Sequence, residues 1–244
     1  MKIVMLNGQN HKGSTYHMGR MLIDQLPGTP QVTEFFLPKD LPYFCNGCYA
    51  CVEDETRCPY AQKKGRILQA IEQADLLIVT TPNYCMAPSA PLKAFIDLTF
   101  TYWVSHKPRA CMFAKRAIVL STTAGAGTTR AMKPVKTMLT CWGVPWVKSY
   151  GTAVRAMNWA GVSAKKKADI EKKMGRLAKA AARSDRPRVP AKTRLLFWLA
   201  AGMQKANWGS GPTEKAYWQQ HGWLGKERPW KQLQLQEKKL STTP

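Results

Sequence analysis

The sequence predicts an α/β fold: a doubly wound sheet of five parallel strands in the order 2-1-3-4-5, followed by a basic helical extension. Short apolar runs alternate with amphipathic helical stretches up to about residue 150, and several of those runs end in loops of small and polar residues. The chain has 244 residues, enough for one substantial domain with its own core.

Lys2–Leu6 is an apolar run ending at Asn7-Gly8 and reads as a buried parallel strand. Ser14 or Thr15 can cap the helix after it, which reaches about Leu26 with Met18, Met21, Leu22 and Leu26 on one face. Gln31–Phe36, β-branched and aromatic, is the second strand. Ile67–Ala74 is helical, Asp75–Thr80 is the third strand, and Ser89–Tyr102 is helical again. Arg116–Thr122 is the fourth strand, Thr129–Cys141 the next helix, and Val144–Tyr150 the fifth strand. Strands alternating with helices at this spacing require right-handed crossovers and therefore parallel pairing.

Beyond Tyr150 the texture changes. Ser163–Ala182 is a Lys/Ala-rich helix with Ile170, Met174 and Leu177 as its apolar line. Arg186–Pro190 breaks it, Lys192–Trp208 reads as another helix, and Gly209–Pro212 as a turn. Residues 213–230 carry Tyr217, Trp218, Trp223 and Trp230, and from about Lys231 the chain is polar and expected to fray. This divides the chain into a core over residues 1–150, a helical and aromatic extension over 151–230 that packs on the core or on a partner subunit, and a polar tail over 231–244.

The formal net charge is +22, with 17 Lys/Arg against 9 Asp/Glu in residues 1–150 and 20 against 6 in residues 151–244. This is either an ordinary solvated basic surface or a field for anions: nucleic acid, anionic lipid or a phosphorylated cofactor. No recognition motif accompanies it, so nucleic-acid binding is not expected. An anionic membrane surface stays open as a partner, with Leu195, Leu196, Phe197 and Trp198 inserted. Met1-Lys2 leads straight into a strand with no secretory apolar region, and the longest apolar stretch, Leu195–Met203, is too short to span a bilayer. A cytoplasmic location is expected.

Three loops carry the candidate chemistry. Asn7–Thr15 joins the first strand to the first helix; its glycines, Gly8 and Gly13, allow a tight backbone, and Ser14, Thr15 and the helix end offer donors to a phosphate. It lacks both the Walker and the dinucleotide glycine spacing. Thr81–Asp97 follows the third strand, where Tyr84 is able to flank a flat ring. Ser121–Gly127 follows the fourth, its small residues permitting close approach of a planar ligand. On these motifs the chain resembles the flavodoxin-like NAD(P)H-dependent FMN reductases and the related iron–sulfur flavoproteins, over roughly residues 1–150.

The resemblance implies an oxidoreductase that binds FMN, with the phosphate held by Gly13, Ser14, Thr15 and the backbone at Asn10. Pro82, Asn83, Tyr84, Cys85 and Met86 would flank the flavin, together with Thr122, Thr123, Ala124 and Gly125, while Lys93 and Asp97 are structural. It further implies NAD(P)H as donor, a homodimer or tetramer, and a quinone, flavin, Fe–S centre or other small acceptor. The alternative is an electron-transfer flavoprotein that docks to a protein partner and has no nicotinamide site. Two departures stand out: Gln9-Asn10 where the family's first loop has Ser-Pro, and Ala124 and Ala126 where its third is richer in glycine.

Cys45, Cys48 and Cys51 stand at two-residue gaps, with Cys58 after a further gap of six residues. Such gaps let thiolates converge, so the residues alone leave an iron–sulfur cluster, zinc, and free or reversibly paired thiols open. The resemblance to iron–sulfur flavoproteins implies a [4Fe–4S] cluster on these four. Cys85, Cys111 and Cys141 read as buried hydrophobes. The histidines, at 11, 17, 106 and 221, have no metal-ligand spacing, and no nucleophile–base pair can be assembled, which suits chemistry carried by a cofactor.

Overall fold

A computed structural model describes residues 1–183, 185, 187–208 and 211–233. Parts of the expected break at 186–190 and turn at 209–212, and nearly all of the polar tail, lie outside these residues. The described chain forms one five-stranded sheet in the order β2-β1-β3-β4-β5. Its strands are β1 (Lys2–Asn7), β2 (Gln31–Phe36), β3 (Leu76–Pro82), β4 (Arg116–Thr123) and β5 (Trp146–Ala153), and every pairing is parallel.

The strand sequences explain which strand sits where. All of β3 is buried, as a central strand covered on both faces must be, whereas the edge strands β2 and β5 are mostly half-buried or exposed. Alternate residues of the central strands feed two apolar layers. Val4, Leu6, Leu77, Val79 and Val119 face α3 (Ala61–Gln73), α4 (Ala90–Leu98) and α5 (Thr128–Cys141). Ile3, Met5, Ile78, Ile118 and Leu120 face α1 (Ser14–Asp24) and α6 (Ala164–Ala181), the latter through Ile170, Met174 and Leu177. The expected apolar line of α6 is therefore the surface that covers the sheet.

Element ends depart from expectation for local reasons. The fourth helix stops at Leu98 because the Thr99 hydroxyl donates back to the Phe95 carbonyl at 2.9 Å, and a short 3-10 turn carries the chain through Tyr102. The fifth strand starts at Trp146 because Gly143, at φ +90°, turns the chain against Phe113 and the Val144 N–H returns to the Leu139 carbonyl at 3.0 Å. After α7 (Ala191–Lys205), Asn207 takes a left-handed φ of 56° and the Trp208 N–H closes on the Met203 carbonyl at 2.9 Å, ending that helix before Trp208.

The extension folds back on the core. Phe197 of α7, Trp218 of α8 (Pro212–Gln220) and Trp223 are fully buried against Val104 and Phe113. Their polar edges are paired: the Trp218 indole donates to the His106 carbonyl at 2.6 Å, the Tyr217 hydroxyl to Pro108 O at 2.6 Å, and Gln204 Nε2 to Ser105 O at 2.9 Å. His106 Nδ1 lies 2.8 Å from the buried Glu214 carboxylate. Arg109 is the centre of this region, meeting Glu55 at 2.5 Å and Glu72 at 3.3 Å, with its guanidinium 4.6 Å from the Tyr102 ring centroid. Burial opposes its charge, yet Glu55 and the Tyr102 and Tyr217 phenols hold its pKa above the ordinary arginine value. No helix among the described residues is long and apolar enough to cross a membrane.

Trp218→Ala should cost about 3–5 kcal/mol in urea unfolding, the usual loss for a large aromatic removed from a core. Arg109→Met should cost about 3 kcal/mol, because Glu55 and Glu72 lose their shared partner. A loss near zero for Arg109→Met would show that these ion pairs do not hold the region together.

Candidate functional site

Parallel strands deliver their following loops to one edge, and here the carboxyl ends of β1, β3 and β4 lie side by side. Asn7 secures that edge at its centre. Its side-chain amide donates to the Phe35 carbonyl at 3.2 Å, and its carbonyl accepts from the Thr80 hydroxyl at 2.9 Å, tying β1 to both neighbours. The next residue, Gly8, donates its N–H to Thr80 O at 2.8 Å and accepts from the Ser89 hydroxyl. A Cβ at Gly8 would lie 2.7 Å from the Ser89 oxygen, so this crossing needs glycine.

The first loop then opens α1. Neither Ser14 nor Thr15 caps it; Gly13 occupies the N-cap without any side-chain bond. The N–H groups of Ser14, Thr15 and Tyr16 consequently have no acceptor within the helix, which begins with His17 N–H to Gly13 O at 3.1 Å. Thr15 is buried and its hydroxyl accepts from Gln9 Nε2 at 3.2 Å, while Ser14 is half-buried and Asn10 exposed. Gln9 is the residue that the sequence reading missed: it is buried, it braces Thr15, and its Oε1 accepts from the Tyr84 hydroxyl at 3.4 Å. Its place in the strand-to-helix loop was the available signal.

The second loop is a tight hairpin turn. Tyr84 and Ala87 exchange backbone hydrogen bonds of 3.2 and 2.9 Å, and between them Cys85 and Met86 take left-handed φ values of 50° and 61°. Two consecutive non-glycine residues there cost roughly 1–2 kcal/mol each. The turn leaves Tyr84 51% exposed, with Cys85 and Met86 also open, so Cys85 is not the buried hydrophobe expected. Pro82 is buried at the strand end. Asn83 joins this loop to the third: its N–H donates to Thr122 O at 2.9 Å and its side-chain amide to Ala126 O at 2.6 Å and the Thr123 hydroxyl at 3.3 Å. Thr122 is buried in the sheet, Thr123 half-buried, and Ala124 and Gly125 are exposed. Gly127, at φ +100°, brings the backbone against Met86 and Asn83.

The structure thus brings the three loops together, and they contain no Asp or Glu in residues 7–15, 82–89 or 121–128. Free helix N–H groups and a rim without carboxylates fit an anionic, phosphate-bearing ligand with a flat ring system. Lys93 and Asp97 pair with each other at 2.6 Å on the exposed face of α4, the structural role expected. A cavity of about 650 Å³ lies at the opposite end of the sheet beside Asp75, Lys115 and Arg116. There the Lys115 amine already donates to the Glu72 and Ala74 carbonyls, and ligands of such sheets bind outside the carboxyl ends, so the loop edge is the candidate site.

The four clustered cysteines do not make a ligand set. Cys51 is 7% exposed within the short helix α2 (Ala50–Glu53), Cys58 is half-buried, and Cys45 and Cys48 are open to solvent; all four are free thiols. Among the described residues no group of three or more His, Cys, Asp or Glu side chains is placed to share a metal. The two-residue gaps allow convergence in principle. Here left-handed turns at Gly47 and Tyr49 interrupt the segment, and α2 packs against α8. Burial raises the Cys51 thiol pKa, with nearby Lys64 opposing. The expected [4Fe–4S] ligation by Cys45, Cys48, Cys51 and Cys58 does not fit this arrangement.

The family model described as NADPH-dependent FMN reductase matches residues 1–158. Among solved structures, an FMN-dependent NADH-azoreductase from Bacillus anthracis, in complex with FMN, superposes with a TM-score of 0.57 at 13% identity, covering 75% of this chain and all of that one. An NADH:FMN oxidoreductase (EMOB) in its apo form gives 0.51 at 18% identity, covering 79% and 93%. The flavoenzyme NAD(P)H:(acceptor) oxidoreductase FerB from Paracoccus denitrificans gives 0.50 at 17% identity, covering 74% and 94%. At these identities the likeness to solved structures is one of fold. No curated protein sequence matches the chain.

Gly127→Ala should lower stability by about 1–3 kcal/mol, since it adds both a strained φ and a Cβ 2.3 Å from Met86 Sδ. Thermal unfolding measures this, and an unchanged midpoint would show that the third loop relaxes freely. Iodoacetamide labelling read by mass spectrometry should modify Cys45, Cys48 and Cys85 first and Cys51 and Cys111 slowly.

Proposed function

Because the chain belongs to the NADPH-dependent FMN reductase family, we propose that its three-loop edge is an FMN site from which electrons of NAD(P)H pass to a small acceptor such as a quinone or free flavin. The observation that carries this reading is the α1 N-terminus, left without a side-chain cap beside a loop free of carboxylates. When bound, FMN supplies the hydride-accepting ring system and NAD(P)H the hydride.

In this reading the N–H groups of Ser14, Thr15 and Tyr16, the Ser14 hydroxyl and the Asn10 backbone hold the phosphate, and Lys12 adds charge to that end. Gln9 keeps the Thr15 hydroxyl turned inward, so Thr15 contributes its N–H rather than its side chain. The turn from Pro82 to Met86 and residues Thr122 to Gly125 would flank the bound ring. Asn83 fixes the spacing between those two walls through Thr123 and Ala126. Tyr84, hydrogen-bonded to Gln9 and half exposed, orients the open side where a nicotinamide and then an acceptor would stack. The division at about residue 150 makes the first part the flavin-binding unit and the extension its support. The cysteines act as thiols, and the whole operates in the cytoplasm.

Apoprotein titrated with FMN should bind it at least about tenfold more tightly than riboflavin, a difference of ~1.4 kcal/mol from the phosphate alone. Equal affinities would remove the phosphate role from α1. Ser14→Ala should cost about 1–2 kcal/mol of FMN affinity and Asn83→Ala about 1 kcal/mol, with riboflavin affinity moving only in the second. Mixing the holoprotein anaerobically with NADPH or NADH should bleach the flavin absorbance directly. Reduction by a protein donor alone would favour the docking electron carrier instead.

A further inference from the structure

The helix α7 buries one face and leaves another open that is not polar. Thr193, Phe197, Ala200, Ala201 and Gln204 pack inward. Leu195 is 54% exposed, Trp198 64%, Leu199 47%, Met203 39%, and Trp208, just past the helix end, 75%. The first four recur at i, i+3, i+4 and i+8 and therefore form one stripe, in which Gly202 meets nothing within 4 Å. The sequence reading placed Leu196 and Phe197 in the exposed group; the fold half-buries the former and buries the latter completely, and Leu199, Met203 and Trp208 take their place.

The charges around the stripe identify its occupant. On the helical wheel Arg194 and Lys205 border the stripe beside Trp198, Lys192 lies within its other half between Leu199 and Met203, and α7 contains no acidic residue. Leu and Trp interleaved with and bordered by cations match the interface of an anionic bilayer, where apolar groups enter the acyl boundary and ammonium and guanidinium groups meet lipid phosphates. A second copy of the chain is a poorer occupant. Two such faces apposed about a twofold axis would bring like-charged borders together on molecules that each carry a formal +22. Nucleic acid would use the cations but leave the exposed leucines and methionine without a role.

We propose that the exposed face of α7, through Leu195, Trp198, Leu199, Met203 and Trp208 with Lys192, Arg194 and Lys205, is a docking surface for anionic phospholipid membranes. The attachment is peripheral, with the helix lying in the interface.

Flotation of the holoprotein with vesicles of phosphatidylcholine plus phosphatidylglycerol, against pure phosphatidylcholine, tests it. The protein should float with the anionic vesicles only, and lipids brominated along the acyl chain should quench its tryptophan fluorescence. Trp198→Glu with Leu199→Glu should reduce vesicle partitioning at least about tenfold while flavin content and NAD(P)H oxidation stay unchanged. Lys192→Glu with Arg194→Glu and Lys205→Glu should lose binding as well. No flotation at low salt, or no quenching by brominated lipid, overturns the proposal. Undiminished binding of the Trp198/Leu199 variant also overturns it, because bulk charge would then suffice. So does a wild-type dimer in sedimentation velocity that the same variant converts to monomer, since a second copy would then cover the face.

Discussion

A parallel sheet covered on both faces satisfies its backbone edgewise, and this constraint sets out the rest of the molecule. β3 has no exposed residue, so neither side of the sheet offers room for a ligand, and the carboxyl edge is where consecutive loops meet. Asn7 makes that edge rigid by bonding to β2 and β3 at once. Gly8 then crosses beneath Ser89 closely enough for the Ser89 hydroxyl to bond its carbonyl, tying the first two loops together. The Asn83 amide does the same for the second and third loops. Rigidity of this kind matters for a cofactor site because it leaves little ordering to be done when a ligand binds.

A second set of contacts governs the half of the molecule away from the loops. The buried aromatics of the extension pack on Phe113 and Val104, and each buried indole or phenol there finds a carbonyl or amide partner. Arg109 connects this cluster to the cysteine segment through Glu55 and to α3 through Glu72. The cysteine segment is therefore held by ion pairs and by α8, with its thiols differing in exposure from buried Cys51 to open Cys45 and Cys48. Close spacing in sequence is not by itself a shared centre in space: two-residue gaps hold a metal only when the backbone curls three or more ligands around one point, and no such group occurs among the described residues.

The large positive charge is distributed to match these two regions. The rim of the three loops gains its preference for anions from the absence of carboxylates and from free helix N–H groups, not from a crowd of lysines. The lysines and arginines concentrate instead beyond residue 150, on α6 and α7. Short-range donors select a phosphate, whereas a broad field acts on extended anionic surfaces.

Strand identity, strand order and the three loops were legible because they follow from local pattern: apolar runs of strand length, helical periodicity between them, and small residues at the strand ends. The apolar line Ile170, Met174 and Leu177 likewise announced which face of α6 is buried. Contacts between residues far apart in the chain were not legible, because nothing in a sequence encodes which distant side chain completes a hydrogen bond. Gln9 with Tyr84, His106 with Glu214, and Arg109 with Glu55, Glu72 and Tyr217 are of this kind. The same holds for α7, where the run Leu195–Trp198 reads as apolar on every side. Only docking against Phe113 and Trp218 decides that Phe197 turns inward and Leu195 and Trp198 face out. Periodicity assigns a residue to a helix, but the neighbouring elements decide which arc of that helix is covered.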